Sequence, residues 1–114
     1  MVRFLFSLSL AFLFVSTAVS AQEGYAGPSA ALVTVAAAKE LKDDTPVIIR
    51  GKIEKFLGGE KYLFSDNSGN IVVEIDDELW RGISADQNDP VEITGEVEKD
   101  FTSVEIEASR IKKI

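Results

Sequence analysis

The chain offers little for side-chain catalysis except oxygen. It contains no histidine and no cysteine. The commonest general base and metal ligand is missing, and with it thiolate chemistry, Cys-type zinc sites, Cys-linked lipid anchors and disulfides. Carboxylates remain. Asp76, Asp77 and Glu78 are consecutive and could pair as acid and base. They equally suit a helix start, where the macrodipole favours negative charge. Carboxylate-only hydrolysis needs two acids about 5–10 Å apart in a cleft, and no insertion here is built to form one. Asp66, Asn67, Ser68 and Asn70 form a second oxygen-rich group. Their spacing is not that of an EF-hand, which takes ligands at alternate positions and a closing Glu at the twelfth. Their composition is that of a polar turn. No catalytic residue, metal ligand or cofactor is assigned, and a non-enzymatic protein is expected.

Twelve basic residues stand against 19 acidic ones, a formal charge of −7. Phosphate binding rests on clustered Lys and Arg, so nucleic acid and anionic membranes are disfavoured as partners. Trp80, the single tryptophan, is either an exposed platform for a carbohydrate or, with Leu79 and Ile83, a core plug, since Trp is highly buried on average. Glu92, Glu96, Glu98, Glu105 and Glu107 read as solubility and edge protection, or as an acidic face for a basic partner.

Strands must position these groups. Residues 46–56, PVIIRGKIEKF, put Val47, Ile49, Gly51 and Ile53 on one row and Ile48, Arg50, Lys52 and Glu54 on the other. Residues 90–100, PVEITGEVEKD, repeat the pattern with Gly95 in place of Gly51. A glycine on an inward row marks a bulge, a bend or a close backbone approach. Two such strands suggest a sheet that closes on itself. Residues 34–42 form a short helix with Thr34 as its N-cap. Residues 60–65 and 70–75 make a hairpin with Tyr62, Phe64, Ile71, Val73 and Ile75 inward. Residues 76–82 form one or two helical turns whose Leu79, Trp80 and Ile83 plug the core. Residues 91–99 and 103–111 are the last two strands. Ile111 has the opposite parity to Val104, Ile106 and Ala108, which calls for a bulge near Ser109 or Arg110.

The predicted fold is all-β with short helices: a five-stranded OB-fold Greek-key barrel, with an N-terminal helix and a short helix between the third and fourth strands. An SH3-like barrel competes, but would not ordinarily need the DDELWRGI insertion. OB-folds usually bind on the outer face of the second and third strands. Here the expected ligand-binding residues on and beside that face are Arg50, Lys52, Lys61, Leu63, Ser65, Val72 and Glu74. They include no aromatic platform, and their three basic residues against one acidic fall short of the positively charged groove that single-stranded nucleic acids require. An ordinary solvated sheet face is the competing reading.

Ahead of the domain, Arg3 precedes the apolar run FLFSLSLAFLFV, and Val19-Ser20-Ala21 supplies a cleavage site. Residues 1–21 read as a secretory signal peptide cut after Ala21, or after Ser20; the run is short for a spanning helix of about 20 residues. An uncleaved anchor is the alternative. After cleavage no transmembrane span remains. Residues 22–32 read as a flexible linker, with Tyr25 either a docking tag or incidental. Residues 33–114 are one domain.

The segments TVAAAKELKDDTPVIIRGKI, KYLFSDNSGNIVVEIDDELWRG and PVEITGEVEKDFTSVEIEASRI, behind a signal peptide and a GYAGP tail, together resemble the bacterial OB-fold (BOF) family. The resemblance implies an OB-fold, periplasmic residence and a role in envelope stress tolerance. It implies no settled ligand and no catalytic set. The expectation is a periplasmic binding module for a small envelope ligand. The alternative is a regulatory or inhibitory subunit of another envelope protein.

Overall fold

The alternating stretch at residues 46–56 becomes the strand that ties the barrel together. The structure, a computed structural model, describes residues 29–114. The expected signal peptide, its cleavage point, Tyr25 and most of the linker lie outside the described residues. The strands are β1 (Ala31–Leu32), β2 (Pro46–Gly58), β3 (Lys61–Asp66), β4 (Gly69–Glu74), β5 (Val91–Lys99) and β6 (Val104–Lys113). Helix α1 spans Val35–Ala38, and a 3₁₀ turn spans Asp77–Trp80. No helix among the described residues is long and apolar enough to cross a membrane.

β2 changes partner halfway along. Residues 46–51 pair antiparallel with β5, and from Lys52 onward the partner is β3. β3 pairs with β4, β4 runs parallel to β6, and β6 returns antiparallel to β5. The circuit β2–β3–β4–β6–β5–β2 is a closed five-stranded OB barrel. The change of partner falls at Gly51. A Cβ there would collide with the Ser65 carbonyl oxygen and lie 3.0 Å from the Phe64 ring. Only glycine lets β2 bend this closely over β3. Gly95 plays the same part in β5, against the Glu107 carbonyl. Beside it Thr94 pairs with Arg110 and Gly95 with Ala108, so Ser109 is the extra residue of the expected bulge.

Two local expectations change. Ala31 and Leu32, expected as linker, pair in parallel with Val47 and Ile48, and the Val33 N–H donates to the Ile48 carbonyl at 2.9 Å. β5 covers only one edge of this half of β2; the other edge offers unpaired backbone groups that the entering chain satisfies. The N-terminal helix is also shorter than residues 34–42. After Ala38 the bonds become i to i+3, from Glu40 to Ala37 and from Leu41 to Ala38. Asp44 then takes φ +68° to turn the chain into β2.

The inward rows fill the barrel. Val47, Ile49, Phe64, Val73, Ile75, Val91, Ile93, Val97 and Ile106 are fully buried, and no polar or charged residue is buried among the described residues. Burying each such large apolar side chain contributes about 1.5–3 kcal/mol, which offsets the entropy of ordering a small chain that has no disulfide.

α1 closes one end of the barrel, bringing in Val35 and Ala38 at i, i+3. Its first N–H groups are all met by side chains. Asp66 Oδ2 accepts from Val35 (2.9 Å), Ser68 Oγ from Ala36 (2.9 Å) and Thr34 Oγ1 from Ala37 (3.1 Å). The polar turn after β3 therefore caps a helix that lies far earlier in the chain. The 3₁₀ turn closes the other end. Asp76 Oδ1 accepts from Glu78 N–H at 2.9 Å, and Glu60 Oε2 from Asp77 N–H at 3.1 Å.

Candidate functional site

The expected ligand-binding residues fall into two groups along the outward row. Arg50 is exposed and donates from Nε to Glu92 Oε1 at 2.9 Å; Lys112 approaches the same carboxylate at 3.7 Å. The hydrogen bond from Arg50 holds the Glu92 carboxyl below the usual range. Arg50, Lys52 and Ser65 line a shallow recess with Gly51, Asp66 and Asn67. Asp66 is not free for a ligand there. Its Oδ1 accepts from both Ser68 N–H (2.7 Å) and Ser68 Oγ–H (2.6 Å) while its Oδ2 caps α1. Burial pushes its pKa up, but these hydrogen bonds outweigh burial and hold it low.

Lys61, Leu63, Val72 and Glu74 do share the outer sheet face, all half-buried. Lys61 pairs with Glu74 and Leu63 with Val72 across β3 and β4. The parallel β4–β6 pairing then sets Glu105 beside Val72 and Glu107 beside Glu74, and β5 adds Glu98 opposite Glu105. Carboxylate oxygens of Glu74, Glu98 and Glu105 lie within 4.8 Å of one another. These are the described side chains that could offer oxygen ligands to a divalent cation. Lys61 already supplies a positive charge, with Nζ 3.1 Å from Glu105 Oε2. That hydrogen bond and the Glu105 charge raise the Lys61 pKa. Burial, then hydrogen bonding and repulsion from Glu107, raises the Glu98 carboxyl. Asp43, Asp44, Lys99 and Asp100 flank the same hollow. The usual OB binding face is thus acidic.

A second concavity, equal in volume to the acidic hollow, lies at the barrel end closed by the 3₁₀ turn. It is an open groove of about 460 Å³, within the range of small-ligand sites. One wall is aromatic. Phe56 and Tyr62 have ring centroids 5.2 Å apart at 50°, and Tyr62 and Trp80 5.6 Å apart at 58°. Glu54, Lys55, Ile83, Ser84, Asp86 and Gln87 line the rest. Phe56 is 62% exposed. Trp80 is half-buried against the core, consistent with the plug reading, and its edge also lines the groove. Its Nε1 is buried and finds no acceptor among the described residues.

A bulge in β2 creates this wall. Ile53 pairs with Phe64, and Lys55 pairs with Leu63, which leaves Glu54 extra. The parity shifts, so Phe56 comes opposite Tyr62 on the row that leads out of the core. Simple alternation from Val47 places Phe56 on the other face and Tyr62 wholly in the core, and so misses the groove. The available signal was positional: three aromatics, each near an element end beside Gly58-Gly59 or Gly82. Meanwhile Asp76 is used as a cap, and Glu78 is exposed 3.9 Å from Arg81.

Residues 14–113 match the family described as bacterial OB fold (BOF) protein. Protein YgiW of Escherichia coli is 43% identical over 106 residues, covering 82% of each chain. The solved YgiW structure aligns with a TM-score of 0.74 at 46% identity, over 82% of this chain and 100% of that one. The calcium-regulated OB-fold protein CarO of Pseudomonas aeruginosa is 40% identical over 98 residues, 84% of each chain. A replication protein A domain from Methanococcus maripaludis reaches a TM-score of 0.58 at 18% identity, over 73% of this chain and 94% of that one, a likeness of fold alone. The chain belongs to the bacterial OB-fold family.

Proposed function

We propose that this protein is a non-enzymatic binding module, exported to the periplasm, that serves envelope stress tolerance by holding a small ligand in the aromatic groove. One observation carries the ligand site: Phe56, Tyr62 and Trp80 form a continuous wall open to solvent. Leaving such apolar area exposed works against folding, and a partner that covers it recovers the hydrophobic gain. Export is supported by Arg3 and the apolar run at residues 4–15. The non-enzymatic reading is supported by the lack of His and Cys and by the capping roles of Asp66 and Asp76. The acidic outer face argues against nucleic acid as a partner.

The test is an NMR shift map against cell-wall fragments and small envelope metabolites. Perturbations are expected at Phe56, Tyr62 and Trp80. A map with no response, or with responses only outside the groove, would overturn the proposal.

The acidic face favours a second reading, docking onto a basic envelope protein as a regulatory or inhibitory subunit. Lys61, Leu63, Val72 and Glu74, with Glu98 and Glu105, would form its centre, and Lys52 and Ser65 would continue the outward row. Cross-linking in periplasm would recover a stoichiometric partner that Glu98→Lys releases; recovery of none would remove this reading.

A further inference from the structure

We infer that the groove selects amphipathic organic cations: an ammonium group carried on an apolar body. The inference rests on the binding reading above and adds its charge preference. Aromatic rings present a negative face, so a cation within about 6 Å of a ring centre is attracted to it. The rings of Phe56, Tyr62 and Trp80 meet at 50° and 58° and form one curved wall. The rim of that wall is anionic. Glu54, pushed out by the β2 bulge, and Asp86 both line the groove.

Glu54 makes no ion pair among the described residues, whereas Glu92 is met by Arg50 and Lys112, and Glu105 by Lys61. The Asp86 carboxylate accepts one bond, from Asn88 N–H to Oδ1 at 2.8 Å. Lys55 is the single cation in the lining, so two carboxylates stand against one ammonium and the rim keeps a net negative charge. An anionic ligand would meet two carboxylates. A neutral one would gain the wall alone. A cation with an apolar body gains wall and rim together, in a protein whose net charge of −7 draws cations towards it.

Three probes share one apolar body and differ only in charge: 4-phenylbutylamine, 4-phenylbutan-1-ol and 4-phenylbutanoate. Trp80 is the single tryptophan, so its fluorescence reports this groove alone. The amine is expected to bind at least tenfold more tightly than the alcohol, and the carboxylate more weakly than either. Glu54→Gln combined with Asp86→Asn should cut the amine's advantage to below threefold and leave the alcohol unchanged; asparagine keeps the acceptor for Asn88. Phe56→Ala should weaken amine and alcohol alike, with the fold checked by its melting temperature. Equal affinity for amine and alcohol overturns the charge preference and leaves the groove a ligand site. A saturable response to none of the three also overturns the inference, and the fragment map then decides the binding reading separately.

Discussion

The barrel is closed at both ends by a four-residue helical turn, α1 at one end and the 3₁₀ turn at the other. At the α1 end, Val35 and Ala38 are fully buried, and side chains meet the first N–H groups in turn. At the other end the turn has no fully buried residue, Trp80 keeps an unpaired buried N–H, and Phe56 stands 62% exposed. The polar groups at the first end are used internally; at the second, Asp76 and Glu60 cap the turn, but the aromatic wall and the Glu54 carboxylate are left lining an open groove. Folding accounts for each of these groups at the α1 end. It does not account for an aromatic wall beside two carboxylates. An end made only to stop a barrel would resemble the first, and the groove end does not.

The contrast predicts unequal responses to mutation, the largest at the finished end. Asp66→Ala removes the acceptor for Val35 N–H and for both Ser68 donors. The loss should be about 2 kcal/mol, since hydrogen bonds to a charged group and N-caps each contribute on that scale. A shift of the urea midpoint at constant slope would measure it; an unchanged midpoint would remove the claim that this turn fastens α1. The linkage has a definite sign. Hydrogen bonds from Ser68 and Val35 hold the folded pKa of Asp66 below its ordinary value. Its contribution is therefore present above the unfolded pKa and is lost as pH falls through the depressed folded pKa. Asp66→Asn should flatten the acid limb of the stability curve.

At the open end, Phe56→Ala should cost less, about 1 kcal/mol or below. The ring is mostly exposed, and the principal packing it gives up is the tilted pair with Tyr62, worth about 0.5–1.5 kcal/mol when well packed. Ligand binding should nevertheless fall. The pair of measurements separates the ends: Asp66→Ala lowers stability with little change in affinity, and Phe56→Ala does the reverse. If both variants lost only stability, the groove would be part of the scaffold.

How much of this was legible from the residues follows the same division. The two inward rows, the close approaches at Gly51 and Gly95 and the bulge at Ser109 were readable because each breaks a period of two in a way that glycine or parity reveals. Thr34 as a cap was readable from its type. The Asp66 cap was not, because its partners Val35 and Ala36 lie in another element and only the closed barrel brings them together. Glu98 and Glu105 were visible as outward acids, but their meeting with Lys61 and Glu74 depends on the parallel β4–β6 pairing. The groove was missed for a local reason. The bulge at Glu54 lies in EKFL, which has no glycine or proline to announce it, and one extra residue exchanges the two faces of everything after it.

The acidic face lies between the two ends and gives the smallest effect, with the opposite sign. Glu98 stands directly across from Glu105, and burial with repulsion from its neighbours raises its folded pKa above the ordinary glutamate value. The folded state then binds the proton more tightly than the unfolded chain. Stability from this group is full below the unfolded pKa and declines as pH rises towards the raised folded value. Glu98→Gln should therefore stabilise the protein at pH 7, by about 0.2–0.5 kcal/mol, the low part of the cross-strand range because Glu98 is exposed. The gain should shrink as pH falls through that window, and added salt should shrink it further. Thermal melts at pH 7 and pH 4 in low and high salt would measure this. A variant no more stable than the parent at pH 7 would mean that Lys61 already balances the cluster. A real gain would mean that folding alone does not explain the concentration of glutamate on this face.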